Sequence, residues 1–303
     1  MTQDPTPTGQ RLLKQLEASA LIAEDNGARI RAHLDAASDV DAIVFECTLG
    51  STPLSWDLAF RVETGALEGH LSVHPKAAES AAEFTALNPR HCPNAWVEWD
   101  TSQGDDSLPS VFAQFRRDVP LDTLCADLSR TLGASDAAAR IHAWMSSLPE
   151  GAHARHVGKM LARRDGEIRV VIGGLKLRVL IAQLQEHALV QEEILQRALE
   201  PIGFHAGRAH LAVGFNPDLL PRVGVEAILP WSQMPSVARR LSAAGQCTAD
   251  EAALLASWPE FCRLSAETAQ PWPTPFGAHL KWVFEGENRV VRKLYLHIER
   301  QVA

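Results

Sequence analysis

The chain has 303 residues, 46% hydrophobic and 22% charged, with a net charge of −8. That is enough apolar material for a sizeable core, and the negative balance excludes a general nucleic-acid binder, which needs a positive surface to meet phosphates. The opening MTQDPTPTGQ lacks the basic and apolar regions of a signal peptide, and no apolar run approaches a membrane span; the longest helical candidate, 176–199, is interrupted by Arg178, Gln183, Gln185 and Glu186.

Five cysteines (Cys47, Cys92, Cys125, Cys247 and Cys262) are odd in number and scattered, with no CxxC or zinc spacing. The reading is a reduced, cytoplasmic protein without a metal centre. Eight tryptophans against one tyrosine is an unusual ratio. It fits tryptophan filling helix–sheet seams, or lining a lumen for an apolar ligand.

Residues 1–9 read as a flexible polar arm, and 10–303 as a single domain. QRLLKQLEASALIAE carries Leu12, Leu13, Leu16, Ala20 and Leu21 on one helical face, and a second helix follows at about 27–37. AIVFECTLG and WDLAFRVE then form a strand pair. An alanine-rich helix stops before Asn88-Pro89, since the residue before proline disfavours helix. AWVEWD and PSVFAQFRR make the second pair, across a polar loop with Gly104, Asp105 and Asp106. Residues 121–147 read as helix broken near Gly133, with Ser135 as the N-cap of the second half.

HVGKMLA and IRVVIGG make the third pair, and LKLRVLIAQLQEHALVQEEILQRALEPIG reads as a long amphipathic helix, straight or bent. GRAHLAVGFN and RVGVEAILP follow. Two shorter helices come next, at about 235–244 and 249–258. Gly245 ends the first, and Thr248 with Glu251 makes a capping box for the second. AQPWPTPFG, with its three closely spaced prolines, is irregular, and the last pair is HLKWVF and VVRKLYLHIE across EGEN.

The pattern is therefore helix then hairpin, at 42–62, 95–116, 156–174, 209–229 and 278–299. It predicts an α+β fold: a ten-stranded antiparallel barrel of five α-β-β repeats with the helices outside. A barrel of roughly ten strands is wide enough to keep an open lumen.

Successive strand residues face opposite ways. The outer face meets helices and must be the apolar one, so the polar face points inward. This assigns inward positions to Glu46, Arg61, Trp96, Glu98, Arg169, His210, Glu226, His279, Lys281, Lys293, Tyr295 and His297, with Arg116 and Arg222 as further candidates on less clear strands. Trp56, Phe60, Trp282 and Leu294 are expected to pack against helices. Like charges sharing one cavity repel unless paired or bound to a counter-ion. Two readings stand at this point: internal salt bridges without a ligand, or a site for an anion such as a diphosphate.

Five such units in about this length resemble the ABBA-type aromatic prenyltransferases, which include dimethylallyl-tryptophan synthases and the peptide prenyltransferases of cyanobactin pathways. The resemblance runs from about residue 10 to 299 and is architectural. It implies a transferase moving a prenyl group from an allyl diphosphate to an aromatic small molecule or peptide side chain inside the lumen. FECTL supplies Glu46 where the family has an acceptor-contacting glutamate, LAFRVE supplies Arg61 where it has a diphosphate arginine, and KLYLHI and HLKW supply Lys293, Tyr295 and Lys281. Arg169 joins them as a diphosphate ligand. The remaining lumen candidates are Glu98, Trp96, His210, Glu226, His279 and His297. The chain departs from the family in its single tyrosine. No cofactor is implied: a DDxxD motif that would signal Mg2+ clamping of diphosphate is absent, so Mg2+ is not signalled.

Two other readings fit the same barrel. One is a protein that binds a peptide or hydrophobic metabolite without chemistry. The other is a different biosynthetic enzyme in which Glu46, Glu98 and Glu226 do acid–base work.

Overall fold

A computed structural model of the chain describes residues 6–37, 39–50, 54–71, 75–101, 108–161, 166–187, 189–203, 208–265, 279–286 and 289–299. The polar loop around Gly104, the AQPWPTPFG stretch and the first five residues lie outside them, as does the side chain of Cys262.

Each hairpin is preceded by a pair of helices. α1 (Thr6–Ala18) and α2 (Glu24–Ala36) lead into β1 (Ala42–Leu49) and β2 (Ser55–Glu63). α3 (Leu67–Leu71) and α4 (Pro75–Thr85) precede β3 (Asn94–Trp99) and β4 (Ser110–Gln114). α5 (Leu121–Thr131) and α6 (Ser135–Ser146) precede β5 (His153–Lys159) and β6 (Ile168–Leu175). α7 (Leu177–Glu186) and α8 (Glu192–Leu199) precede β7 (Arg208–Phe215) and β8 (Leu219–Ile228), and α9 (Met234–Ala243) and α10 (Ala249–Ser265) precede β9 (His279–Glu285) and β10 (Arg289–Glu299). Every strand pairs antiparallel with its neighbours in sequence, and β1 pairs with β10 to close the barrel.

The alternation expected from the sequence holds around the wall. Ile43, Phe45, Trp56, Leu58, Phe60, Val97, Ile168, Val170, Ile172, Leu211, Val213, Val225, Leu280, Trp282, Leu294 and Leu296 all join one apolar core with helix residues such as Leu12, Ile30, Phe84, Leu128 and Leu180. The core is therefore a layer between barrel and helices. Trp56 and Trp282 are fully buried in it. The Trp56 indole donates to Leu21 O at 3.0 Å, and Asn26 on α2 bonds both the N–H and the C=O of Trp56 at 3.0 Å. These bonds tie a helix pair to the barrel while satisfying polar groups that burial would otherwise leave unpaired.

Several local expectations need correction. The chain is helical from Thr6, with Thr6 and Gly9 buried, so the arm expected over 1–9 is replaced by helix from residue 6. The single helix read over 176–199 is two helices, because Leu189 N turns back to Leu184 O at 3.0 Å instead of continuing the ladder. Ser135 is not an N-cap. Gly133, at φ +60°, makes the turn, and Ala134 holds the cap position with no side-chain bond. The capping box before α10 does form: Glu251 Oε2 accepts from Thr248 N at 2.7 Å and Thr248 Oγ1 from Glu251 N at 3.2 Å. Gly245, at φ +65°, ends α9, where Gln246 N reaches Leu241 O at 2.8 Å.

Candidate functional site

Inside the barrel lies a cavity of about 180 Å³. Its wall includes Arg61, Trp96, Glu98, Arg169, His210, Glu226, His279, Lys281, Tyr295 and His297, all of them inward candidates from the sequence. The strand register explains how they meet. Arg61 stands opposite Trp96 across β2 and β3, Glu226 opposite His210 across β8 and β7 and opposite Lys281 across β8 and β9, and Tyr295 opposite His279 across β10 and β9.

Two expected site residues are placed differently. Glu46 and Lys293 face inward, but they form an ion pair with each other and neither borders the cavity. Glu46 stands opposite Asp57, while Arg61 stands opposite Ala42. The register of this hairpin is set by its turn, so the sequence separation of Glu46 and Arg61 says little about their pairing. Arg116 lies beyond the end of β4, exposed and 3.2 Å from Asp118, and Arg222 pairs with Glu285 at 2.8 Å; neither lines the cavity.

Two polar lining residues, Arg155 and His156, were not singled out from the sequence, and Phe112 and Gln114 share a face with Arg116 on a strand whose phase the sequence left open. The phase of β4 is unreadable in SVFAQ because both faces carry apolar residues. Val111 and Ala113 turn out to face the helices, so Phe112 and Gln114 point inward. On β5 the register shifts between Ala154 and His156. The bulge lets the consecutive Arg155 and His156 both reach the lumen, as an extra residue re-aims its neighbours. Phe112 lies across β5 where Gly158 leaves room; a Cβ there would sit 2.3 Å from the Phe112 ring.

Cations and aromatic faces interleave. The Arg61 guanidinium carbon is 5.7 Å from the Trp96 ring centroid, and Lys281 Nζ is 5.5 Å from that of Tyr295. The Trp96 indole donates to Gln114 Oε1 at 3.1 Å, and the rings of His156 and His297 stand edge-on to it at 6.3 Å each. His297 in turn lies 4.4 Å from His279, centroid to centroid.

The charges sort into bound and unbound. Glu226 takes Lys281 Nζ on one oxygen and His210 Nδ1 on the other, both at 3.2 Å. Burial pushes the Glu226 carboxyl up, but Lys281 and His210 outweigh it and hold it well below the ordinary carboxylate range. Burial works the same way on Glu46, where Lys293 and Lys281 hold the carboxyl down. Lys293 is pushed up: burial opposes its charge, and Glu46, Glu98 and Asp57 prevail. Arg169 donates to the buried Glu167 at 2.6 Å. Glu98 is the exception. Burial together with Glu46 and Asp100 pushes its carboxyl up to about 7.

Burial lowers His156 to about 3 and His279 to about 4, and it holds His297, beside His279, well below the usual imidazole value. At neutral pH these rings are neutral, so they offer hydrogen-bonding nitrogens instead of charge. The Nε2 atoms of His156 and His297 are buried without a partner among the described residues. Tyr295 keeps its phenolic proton, since burial and the carboxylates Glu46 and Glu226 push it up. Among the described residues no group of three or more His, Cys, Asp or Glu side chains is arranged to hold a metal, and no helix is long and apolar enough to cross a membrane.

Comparison of the sequence with protein-family models and with curated proteins finds no match. Solved structures do match in shape. AnaPT from Neosartorya fischeri superimposes with a TM-score of 0.60 at 8% identity, covering 96% of this chain and 92% of that one. NotF in complex with brevianamide F and DMSPP gives 0.57 at 10% identity, covering 96% and 93%, and NotF prenyltransferase gives 0.56 at 12%, covering 95% and 92%. With its closed ten-stranded antiparallel barrel and surrounding helices, the chain has the ABBA prenyltransferase-barrel fold.

Proposed function

We propose that the barrel is a transferase that moves a prenyl group from an allyl diphosphate to an aromatic acceptor, a small molecule or a peptide side chain, inside the lumen. The observation that carries this reading is the interleaving of cations with aromatic faces: Arg61 over Trp96 and Lys281 over Tyr295, with Phe112 opposite Trp96 and the exposed Arg155 nearby.

In this reading the allylic C–O bond breaks and its electron pair leaves on diphosphate. Arg61, Arg155 and Lys281 stabilise that anion, with Arg169 a further donor once Glu167 shares it. The allyl cation meets the negative faces of Trp96, Phe112 and Tyr295. The acceptor ring attacks, and the closed wall keeps out water that would otherwise quench the cation. Lys293 faces the barrel interior beside the cavity and holds Glu46. NotF, which matches this chain in shape, is solved in complex with brevianamide F and DMSPP, and that pairing supports such partners here.

A second reading has its own support. Lys281, Lys293 and Arg169 already have carboxylate partners. A lumen so neutralised also suits a barrel that holds a peptide or hydrophobic metabolite without chemistry.

The test is product formation. The protein is incubated with dimethylallyl, geranyl or farnesyl diphosphate and with tryptophan, tyrosine or peptides containing them, and products are read by mass spectrometry. A prenylated acceptor supports the transferase. Acceptor binding without product from any donor favours the binding protein.

A further inference from the structure

The carboxylates inside the barrel are not equivalent. Glu226 is held by Lys281 and His210, Glu46 by Lys293, and Glu167 by Arg169. Glu98 borders the cavity and makes no hydrogen bond or ion pair with any described residue. Its neighbours across the sheet are small: Ala59 on β2 and Ser110 on β4. They leave its carboxylate facing open space. Trp96 lies two residues away on the same face, roughly 7 Å along the strand. An aromatic ligand stacked beside the Trp96 ring is therefore within reach of Glu98.

We propose that Glu98 takes the proton that the acceptor loses on prenylation. The inference rests on the transfer reaction proposed above. As the new bond forms between the allylic carbon and the acceptor, the bond from the acceptor atom to its hydrogen breaks. Its electron pair returns to the ring. The proton goes to the Glu98 carboxylate and from the resulting acid to solvent, so Glu98 ends each cycle as it began.

The charged groups around Glu98 suit that task. Burial gives the largest upward push on the Glu98 carboxyl, Glu46 on β1 and Asp100 just past β3 add to it, and Lys293 on β10 and Lys281 on β9 moderate it. The balance sits at about 7, where a group both accepts and releases a proton readily. Glu226 cannot serve in this way, because Lys281 and His210 hold it as a carboxylate far below neutrality.

The test uses the full chain with dimethylallyl diphosphate and the best acceptor from the product screen. In wild type, kcat rises with pH through about 7, because the base must be unprotonated. Glu98→Gln lowers kcat by roughly a hundred-fold or more and loses that limb, while dimethylallyl thiodiphosphate binds as it does to wild type. Glu98→Asp recovers part of kcat with a displaced limb. Turnover by Glu98→Gln within about three-fold of wild type, or persistence of the same limb, overturns the role of Glu98 while leaving prenyl transfer standing. Absence of turnover by wild type with every donor overturns both.

Discussion

Lys281 and Glu226 face each other across β9 and β8, with Nζ and Oε1 3.2 Å apart. This pairing decides how much positive charge the lumen presents. Lys281 reaches Glu226 past Gly224, where a Cβ would lie 2.7 Å from Lys281 Cε. Both side chains are largely buried, so neither charge is dissolved in bulk water.

Breaking the pair strands a carboxylate. Lys281→Met is expected to lose about 3 kcal/mol at pH 7, because removing the lysine leaves the buried Glu226 charge with His210 as its one remaining partner among the described residues. Adding Glu226→Gln should restore part of that loss. The sign with pH follows from the depressed Glu226 carboxyl: the wild-type pair contributes fully above about 4.5 and fades as pH falls towards the lower folded value. The deficit of Lys281→Met therefore stays constant from pH 7 down to about 4.5 and shrinks only as pH falls below that. Urea denaturation of the two single variants and the double variant at several pH values checks this.

Trp282 shows the cost of the outer seam. It is 1% exposed, faces the helices and donates to Gln246 Oε1 at 3.4 Å. Trp282→Ala is expected to cost about 3–5 kcal/mol through the cavity it leaves. Chemical denaturation measures the loss, and an unchanged midpoint contradicts the packing.

Glu98 gives the opposite pH signature from Glu226. Its folded value is raised to about 7, so its stabilising contribution is complete below about 4.5 and is lost as pH rises through 7. Glu98→Gln removes that penalty. Thermal melts should show the variant gaining on wild type at pH 8 and not at pH 5.

How much of this was legible in the sequence differs from strand to strand. KLYLHI and HLKWVF alternate strictly, and the inward Tyr295, His297, His279 and Lys281 follow directly. SVFAQ carries an apolar residue on each face, so the face that Phe112 shares with Gln114 stayed unassigned until its neighbours fixed the phase. A bulge adds a residue without changing composition, which concealed Arg155 beside His156. Pairings were the least legible. Which carboxylate meets which cation depends on register between strands far apart in the chain: Glu46 meets Lys293 from β10, and Arg61 stands opposite Trp96 on β3. The faces are local and readable, whereas the partners are set by barrel closure.

Binding of dimethylallyl thiodiphosphate, followed by isothermal titration calorimetry at several salt concentrations, tests the central claim most directly. A diphosphate site in the lumen gives saturable binding at one site that weakens as salt rises. Arg61→Ala should weaken it roughly ten-fold or more, the scale of one charge-assisted hydrogen bond, while Arg116→Ala, an exposed residue outside the lumen, leaves it unchanged. No binding by wild type, or equal binding by Arg61→Ala and wild type, would contradict a diphosphate site in this barrel.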